Sequence, residues 1–131
     1  SDLTGSTLRV NGLREVETVL ASSARLIASR AVWNDPARRP AIEDLRAALE
    51  SVIRADGKRY LMANVPRARL DEVKQVIPGL SGPTIVDVSD GGKWVAAHAV
   101  VDEDRVYKTI ASLKRLGAEG ILVTRIERLM P

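Results

Sequence analysis

The stretch PGLSGPTIVDVSDGGKWVAAHAVV, Pro78 to Val101, decides how this chain folds. A proline- and glycine-marked approach leads into a short strand, an Asp-Gly-Gly turn and a second strand. A strand buried on one face alternates apolar and polar residues with period two. From Trp94 to Val101 one face carries Trp94, Ala96, His98 and Val100, and the other carries Val95, Ala97, Ala99 and Val101. Neither face is made for water. In so small a domain the second face calls for cover from a partner or an assembly.

Working outward, the neighbouring segments alternate in type. Arg59 to Val65 is strand-like, and Arg67 to Ile77 places Leu70, Val73, Val76 and Ile77 at helical spacing before Pro78-Gly79. Thr84 to Val88 is the first strand of the hairpin. Asp102 to Leu116 is predicted helical through Val106, Ile110, Leu113 and Leu116, with Gly117 as its stop, and Ile121 to Ile126 is a last strand. The order is β-α-β-β-α-β, the ferredoxin-like split arrangement, within an α+β class. Both helices then lie on one sheet face, where Val73, Ile77, Ile110 and Leu113 meet the hairpin, and the other face is open. An apolar open face is an aggregation liability unless covered. A homo-oligomer is the economical cover, because every copy carries the same patch.

Upstream, Pro36 to Asp56 reads as a helix, with Asp35 as N-cap, Pro36 at the first position, an apolar stripe of Ile42, Leu45, Leu49 and Ile53, and Gly57 as the stop. The N-terminal third opens with a hydroxyl-rich loop, SDLTGSTLRVNG, followed by REVETVLASSARLIAS. Val16, Leu20, Ala24 and Ile27 suit a helix face, while Glu17 to Leu20 also suits a strand, and the residues alone leave both open.

Composition narrows the classes. The 131 residues fit one domain or one domain and a piece of another, and 45% hydrophobic content is that of a globular chain. Aromatic content is 3% with no Phe, so Leu, Val, Ile and Ala must build the core. No apolar run reaches the roughly 18 residues of a membrane span, and the polar start, Ser1, Asp2 and Thr4, is unlike a signal peptide. No membrane partner is therefore expected. Zero Cys excludes disulfides and thiolate metal sites and suits a cytoplasmic setting. The net charge of +3 is a small, scattered surplus without a basic stripe or stacking aromatics, which argues against nucleic acid as a partner.

Candidate chemistry is sparse. Asp2 with Thr4-Gly5-Ser6-Thr7-Leu8 resembles a phosphate-binding loop, since backbone N–H groups and hydroxyls cradle phosphate where Gly permits close approach; the same residues also make ordinary loops. His98 is the lone histidine, and in an apolar strand it reads as a structural residue with one hydrogen bond. With no second His and no Cys, a transition-metal site is not expected, and Ser22, Ser23 and Ser89 lack a His base. Glu43-Asp44 and Asp102-Glu103-Asp104 fit helix starts. Arg67 and Arg69 fit either a solvated helix start or an anion site. No catalytic residue is assigned. Asn64, near a strand end, and Thr84, opening a strand after Pro83, suit either a small polar ligand or local capping.

These motifs, taken in order, resemble ATP phosphoribosyltransferase. Thr4-Gly5-Ser6-Thr7-Leu8, Asn11-Gly12-Leu13 and Ser22-Ser23-Ala24-Arg25-Leu26-Ile27 look like that family's phosphoribosyl pyrophosphate loop and the segment after it. Asn64-Val65-Pro66-Arg67, Leu70-Asp71-Glu72-Val73, Pro78-Gly79-Leu80, Pro83-Thr84, Trp94-Val95-Ala96, His98-Ala99-Val100 and Leu116 to Val123 look like the regulatory domain of its long form. Residues 31–55 match only as a helical connector. The resemblance implies three parts: residues 1–30 as the end of the catalytic α/β domain, 31–56 as a connector helix and 57–131 as a ferredoxin-like histidine-binding domain. It implies that Asp2, Thr4, Gly5, Ser6, Thr7 and Leu8 hold phosphoribosyl pyrophosphate, and that residues 15–28 form a strand. Histidine, as allosteric inhibitor, is expected between regulatory domains at Asn64, Thr84, Val100 and Gly120. Mg2+ is implied for the full enzyme, which joins ATP to phosphoribosyl pyrophosphate in the first step of histidine biosynthesis. Two departures stand out: Leu3 abuts Thr4, which shortens the loop, and the bulk of the catalytic domains is absent. Alone, the chain is expected to be inactive, as a C-terminal fragment. The alternative is a free-standing ferredoxin-like metabolite sensor, and an RNA-binding domain of that fold is a distant third.

Overall fold

The computed structural model describes residues 6–77, 79, 82–88 and 91–130. Its centre is a four-stranded antiparallel sheet of β1 (Lys58–Pro66), β2 (Thr84–Asp87), β3 (Trp94–Asp102) and β4 (Glu119–Arg125), ordered β2-β3-β1-β4. Helices α4 (Leu70–Val76) and α5 (Val106–Arg115) are the crossovers, each entered through a short 3-10 turn. This is the expected split β-α-β-β-α-β topology. Ahead of it come α1 (Ser6–Val10), α2 (Arg30–Trp33) and the long α3 (Arg39–Ala55). No described helix is long and apolar enough to cross a membrane.

The doubly apolar strand divides as its pleat requires. Val95, Ala97, Ala99 and Val101 are buried, whereas Trp94, Ala96, His98 and Val100 are half-buried. On β1 the buried residues are Leu61, Ala63 and Val65, and they stand opposite Ala99, Ala97 and Val95. Alanines at the centre of both strands leave room for larger side chains from the helix layer. Val73, Ile77 and Leu113 fill that room with no exposure, and Ile110 packs against the cluster. Interlocking of this kind gives interiors their crystalline packing density.

Local chemistry closes the elements. At the end of α5, Gly117 N–H donates to the Lys114 carbonyl at 3.0 Å and Ala118 N–H to the Leu113 carbonyl at 3.0 Å. That reciprocal pair is a Schellman stop, and it holds Gly117 at φ +83°, where a side chain would be strained. The 3-10 turn before α4 is fixed differently. Arg67 forms an ion pair with Asp87 of β2 and donates from Nε to the Gly92 carbonyl at 2.7 Å, so the turn is tied to the hairpin. Arg69 grips Glu72 within its own turn. Both arginines are thereby occupied, and the anion-site reading of this pair is replaced by a structural one.

Three expectations upstream are corrected. The helix anticipated from Pro36 begins at Arg39, and Asp35 caps a preceding turn through Oδ1 to Ala37 N–H at 2.9 Å. A helix starting at Pro36 would have placed Pro40 where an N–H must reach the Pro36 carbonyl, which proline cannot supply; starting at Arg39 leaves Pro40 in the first turn, where no donor is needed. The stripe of Leu45, Leu49 and Ile53 is also exposed, and the residues α3 buries are Ser51 and Ala55. Ser51 lies under the segment that follows β4: Leu129 N–H donates to its carbonyl at 2.9 Å, and Arg128 Nη1 reaches the Ala48 carbonyl at 3.3 Å. Residues 13–29 hold neither the helix nor the strand anticipated for 15–28. A strand needs a neighbour for its backbone groups, and none of the described strands pairs with this segment.

The two faces of β3 make a paired test. Ala97→Asp puts an unpaired charge in the core, at a cost of several kcal/mol. Ala96→Asp places the same charge on the open side and should retain a cooperative urea transition by circular dichroism, whereas Ala97→Asp should abolish it. Separately, Leu113→Ala should lower unfolding stability by about 2–5 kcal/mol.

Candidate functional site on the open sheet face

The open face follows from register. Residues directly opposite one another in an antiparallel pair share a face. One row across the sheet runs Thr84, His98, Met62 and Leu122; a second runs Val86, Ala96 and Asn64 to the β4 end; a third joins Val100, Tyr60 and Thr124. Asn64 and Thr84 are exposed, as are Val86 and Leu122, so polar groups stand within an apolar ground. All four residues singled out for histidine, Asn64, Thr84, Val100 and Gly120, lie on this side of the sheet.

They are not all neighbours. The β1–β4 register shifts between Met62 and Asn64, and Gly120 sits in that irregularity with φ +57°. A Cβ built at Gly120 would come 3.4 Å from Asn64 Nδ2, so these two residues form one corner. Thr84 is two strands across and two residues along from Asn64, roughly 12 Å at ordinary strand spacing and rise. Val100 stands in another row, opposite Tyr60. A single copy thus spreads the four across the face, with Asn64–Gly120 at one side and Thr84 at the other.

Beside Thr84 lies a contact that sequence reasoning missed. Tyr60 Oη and His98 Nδ1 are 3.1 Å apart, and the two rings meet edge to face with centroids at 5.9 Å and planes at 81°. His98 has the single hydrogen bond expected of it, while Tyr60 was not singled out. The signal was present in the alternation of Tyr60, Met62 and Asn64 along β1, which places Tyr60 on the same face as Asn64.

Other candidates fall elsewhere. Asp2, Thr4 and Gly5 lie outside the described residues, as do the side chains of Ser6 and Thr7; the backbone of Ser6, Thr7 and Leu8 opens α1. A groove of about 370 Å3 lies between α4 and α5, where Lys58, Asp102, Arg105 and Lys108 line it, and of the four histidine candidates it takes only Val100. A larger apolar groove of about 920 Å3 runs between residues 24–28, Trp33 and the stripe of α3. No group of three or more His, Cys, Asp or Glu able to hold a metal ion occurs among the described residues.

The border of the face is set by ion pairs. Lys58 Nζ meets Asp102 Oδ1 at 2.5 Å where β1 and β3 end together, and Arg59 pairs with Glu103 beside it. The Lys58 hydrogen bond, with its positive charge, holds the Asp102 carboxyl below its ordinary value, and Arg105 acts in the same direction. A carboxyl whose pKa falls on folding stabilises the fold above its unfolded value, about 3.9, and loses that contribution as pH falls through the lower folded value. Asp102→Asn should therefore flatten the acid limb below about pH 4, measured as urea midpoints over a pH series.

Comparison with known proteins places these features. The family profile described as "HisG, C-terminal domain" matches residues 55–128, and the profile described as "ATP phosphoribosyltransferase" matches residues 2–51. The ATP phosphoribosyltransferase of Gemmatimonas aurantiaca is 62% identical over 130 residues, covering 98% of this chain and 44% of the relative. That of Halobacterium salinarum is 54% identical over 127 residues, covering 97% and 43%, respectively. That of Methanococcus maripaludis strain C5 is 40% identical over 127 residues, covering 97% and 44%. The chain thus spans under half the length of the curated relatives it matches.

Proposed function

This chain belongs to the ATP phosphoribosyltransferase family, and on that footing we propose that residues 57–131 are a regulatory domain that binds histidine on the open sheet face. The observation that carries the reading is the placement of Asn64, Thr84, Val100 and Gly120 on one side of the sheet, the side without helices. An amino acid offers a carboxylate, an ammonium and a side chain. Asn64 and Thr84 supply hydrogen-bonding groups at separated points, and Gly120 leaves the main chain bare between neighbours. The roughly 12 Å between Thr84 and Asn64 favours a ligand held between two copies, each contributing part of its face. The apolar ground of Val86, Ala96, Met62 and Leu122 then packs against the second copy, and the assembly is a homo-oligomer.

Residues 1–30 are the end of the catalytic part and residues 31–56 the connector. In the whole enzyme, Asp2 to Leu8 hold the phosphate of phosphoribosyl pyrophosphate. There the amine or ring nitrogen of ATP that attacks the ribose displaces pyrophosphate, giving phosphoribosyl-ATP in the first step of histidine biosynthesis. Exposure of Val16, Val19, Leu20 and Ile27, together with the bare α3 groove, supports a longer polypeptide as their cover rather than a free-standing sensor. The Mg2+ implied for the full enzyme finds no donor cluster among the described residues.

Calorimetric titration separates the readings. Histidine should bind this 131-residue chain and ATP should not; a folded oligomer that ignores histidine would refute the regulatory assignment. Thr84→Val keeps volume and removes one hydroxyl, so affinity for histidine should drop about fivefold, the worth of one hydrogen bond. Sedimentation should show the same oligomer in both proteins.

A further inference from the structure

We infer that Tyr60 and His98 form the ligand-discriminating centre of the open face, with His98 Nε2 donating to the carboxylate of the bound amino acid and Tyr60 as the residue that positions the ring. The inference rests on the histidine-site reading above and adds to it two residues and a role for each.

Position comes first. His98 is directly opposite Thr84 across the β2–β3 pair, and Tyr60 is directly opposite Val100 across the β1–β3 pair. Asn64 follows Tyr60 on the same face of β1, two pleats along. Any ligand that reaches both Thr84 and the Asn64–Gly120 corner therefore passes beside His98, and Tyr60 flanks the ring from the side away from Asn64.

Chemistry comes second. In the tautomer this proposal requires, Tyr60 Oη donates to Nδ1 and the ring N–H is on Nε2. The ring thus presents an N–H donor away from Tyr60. Among the described residues the His98 side chain makes no other hydrogen bond and no ion pair. The charged side chains nearest along the pairs are Glu119, opposite Asn64, and the Lys58–Asp102 pair at the far end of β1, so neither neighbours the imidazole in register. A second copy packed over this face would strand the Nε2 donor, and a buried donor without a partner is costly. A carboxylate delivered with the ligand satisfies it through a charge-assisted bond, which is the stronger kind. The amino end of the same ligand is left for the side-chain carbonyl of Asn64.

The test compares L-histidine with L-histidinol, which replaces the carboxylate with a hydroxymethyl group, by calorimetry on the wild-type chain and on His98→Ala, His98→Gln and Tyr60→Phe. The wild type should prefer histidine by at least about tenfold. His98→Ala should lose about tenfold for histidine and little for histidinol, collapsing that preference. His98→Gln keeps an N–H donor and should restore part of it. Tyr60→Phe should narrow the preference while circular dichroism and sedimentation match the wild type. Wild-type affinity in both His98 variants, or equal losses for the two ligands, would overturn the role of His98 while leaving the histidine site standing. Failure of the wild type to bind histidine would overturn the site and this inference together.

Discussion

The pairing of β1 with β3 is the constraint from which the rest of the molecule follows. It runs unbroken from Lys58 opposite Asp102 to Pro66 opposite Trp94, and both strands lie inside the sheet, flanked by β2 and β4. Because side chains alternate, this one register decides two surfaces at once. Leu61, Ala63 and Val65 with Val95, Ala97, Ala99 and Val101 go under the helices, and Tyr60, Met62 and Asn64 with Ala96, His98 and Val100 go to the opposite side. A slip of one residue would exchange the two sets. The buried apolar set therefore protects the geometry of the exposed one. The ion pair at Lys58–Asp102 and the Arg67 contacts to Asp87 and Gly92 stand at the two ends of that pairing.

Regulation by a small ligand fits a face held this way. Its residues come from all four strands, so ligand contacts on it report on the whole sheet. Just beyond β4, Arg128 and Leu129 bond to α3 at Ala48 and Ser51, which ties the end of the sheet to that helix. The face proposed for histidine and the helix leading to the N-terminal segment are thus joined by a continuous run of backbone and hydrogen bonds.

What could be read from sequence was what is local. The turn at Gly91-Gly92 (Asp90 of the expected Asp-Gly-Gly lies outside the described residues), the Gly117 stop and the two-sided apolarity of Trp94 to Val101 each depend on a few adjacent residues, and together they led to the observed topology. Less legible was anything set by more distant chain. The start of α3 depended on a second proline four residues beyond the first. The direction of its stripe depended on which side the sheet and the tail would occupy. The segment of residues 15–28 carries its apolar side chains to no partner among the described residues, and neither periodicity nor family resemblance could supply one. Of the site, the four residues matched by resemblance did share a face, but their spacing and the Tyr60–His98 contact beside Thr84 required the register.

Gly120 adds a further lesson about how such a face changes over time. Most binding positions contribute an atom, and losing the atom weakens the ligand. Gly120 contributes an empty space: its backbone lies in a conformation that side chains resist, beside an amide only 3.4 Å from where a methyl would sit. Such a position can be spoiled only by adding matter. If the ligand rests there, escape from inhibition in a population of variants would come by growth at this point, and the strain of the left-handed backbone would make every such escape carry a stability defect with it.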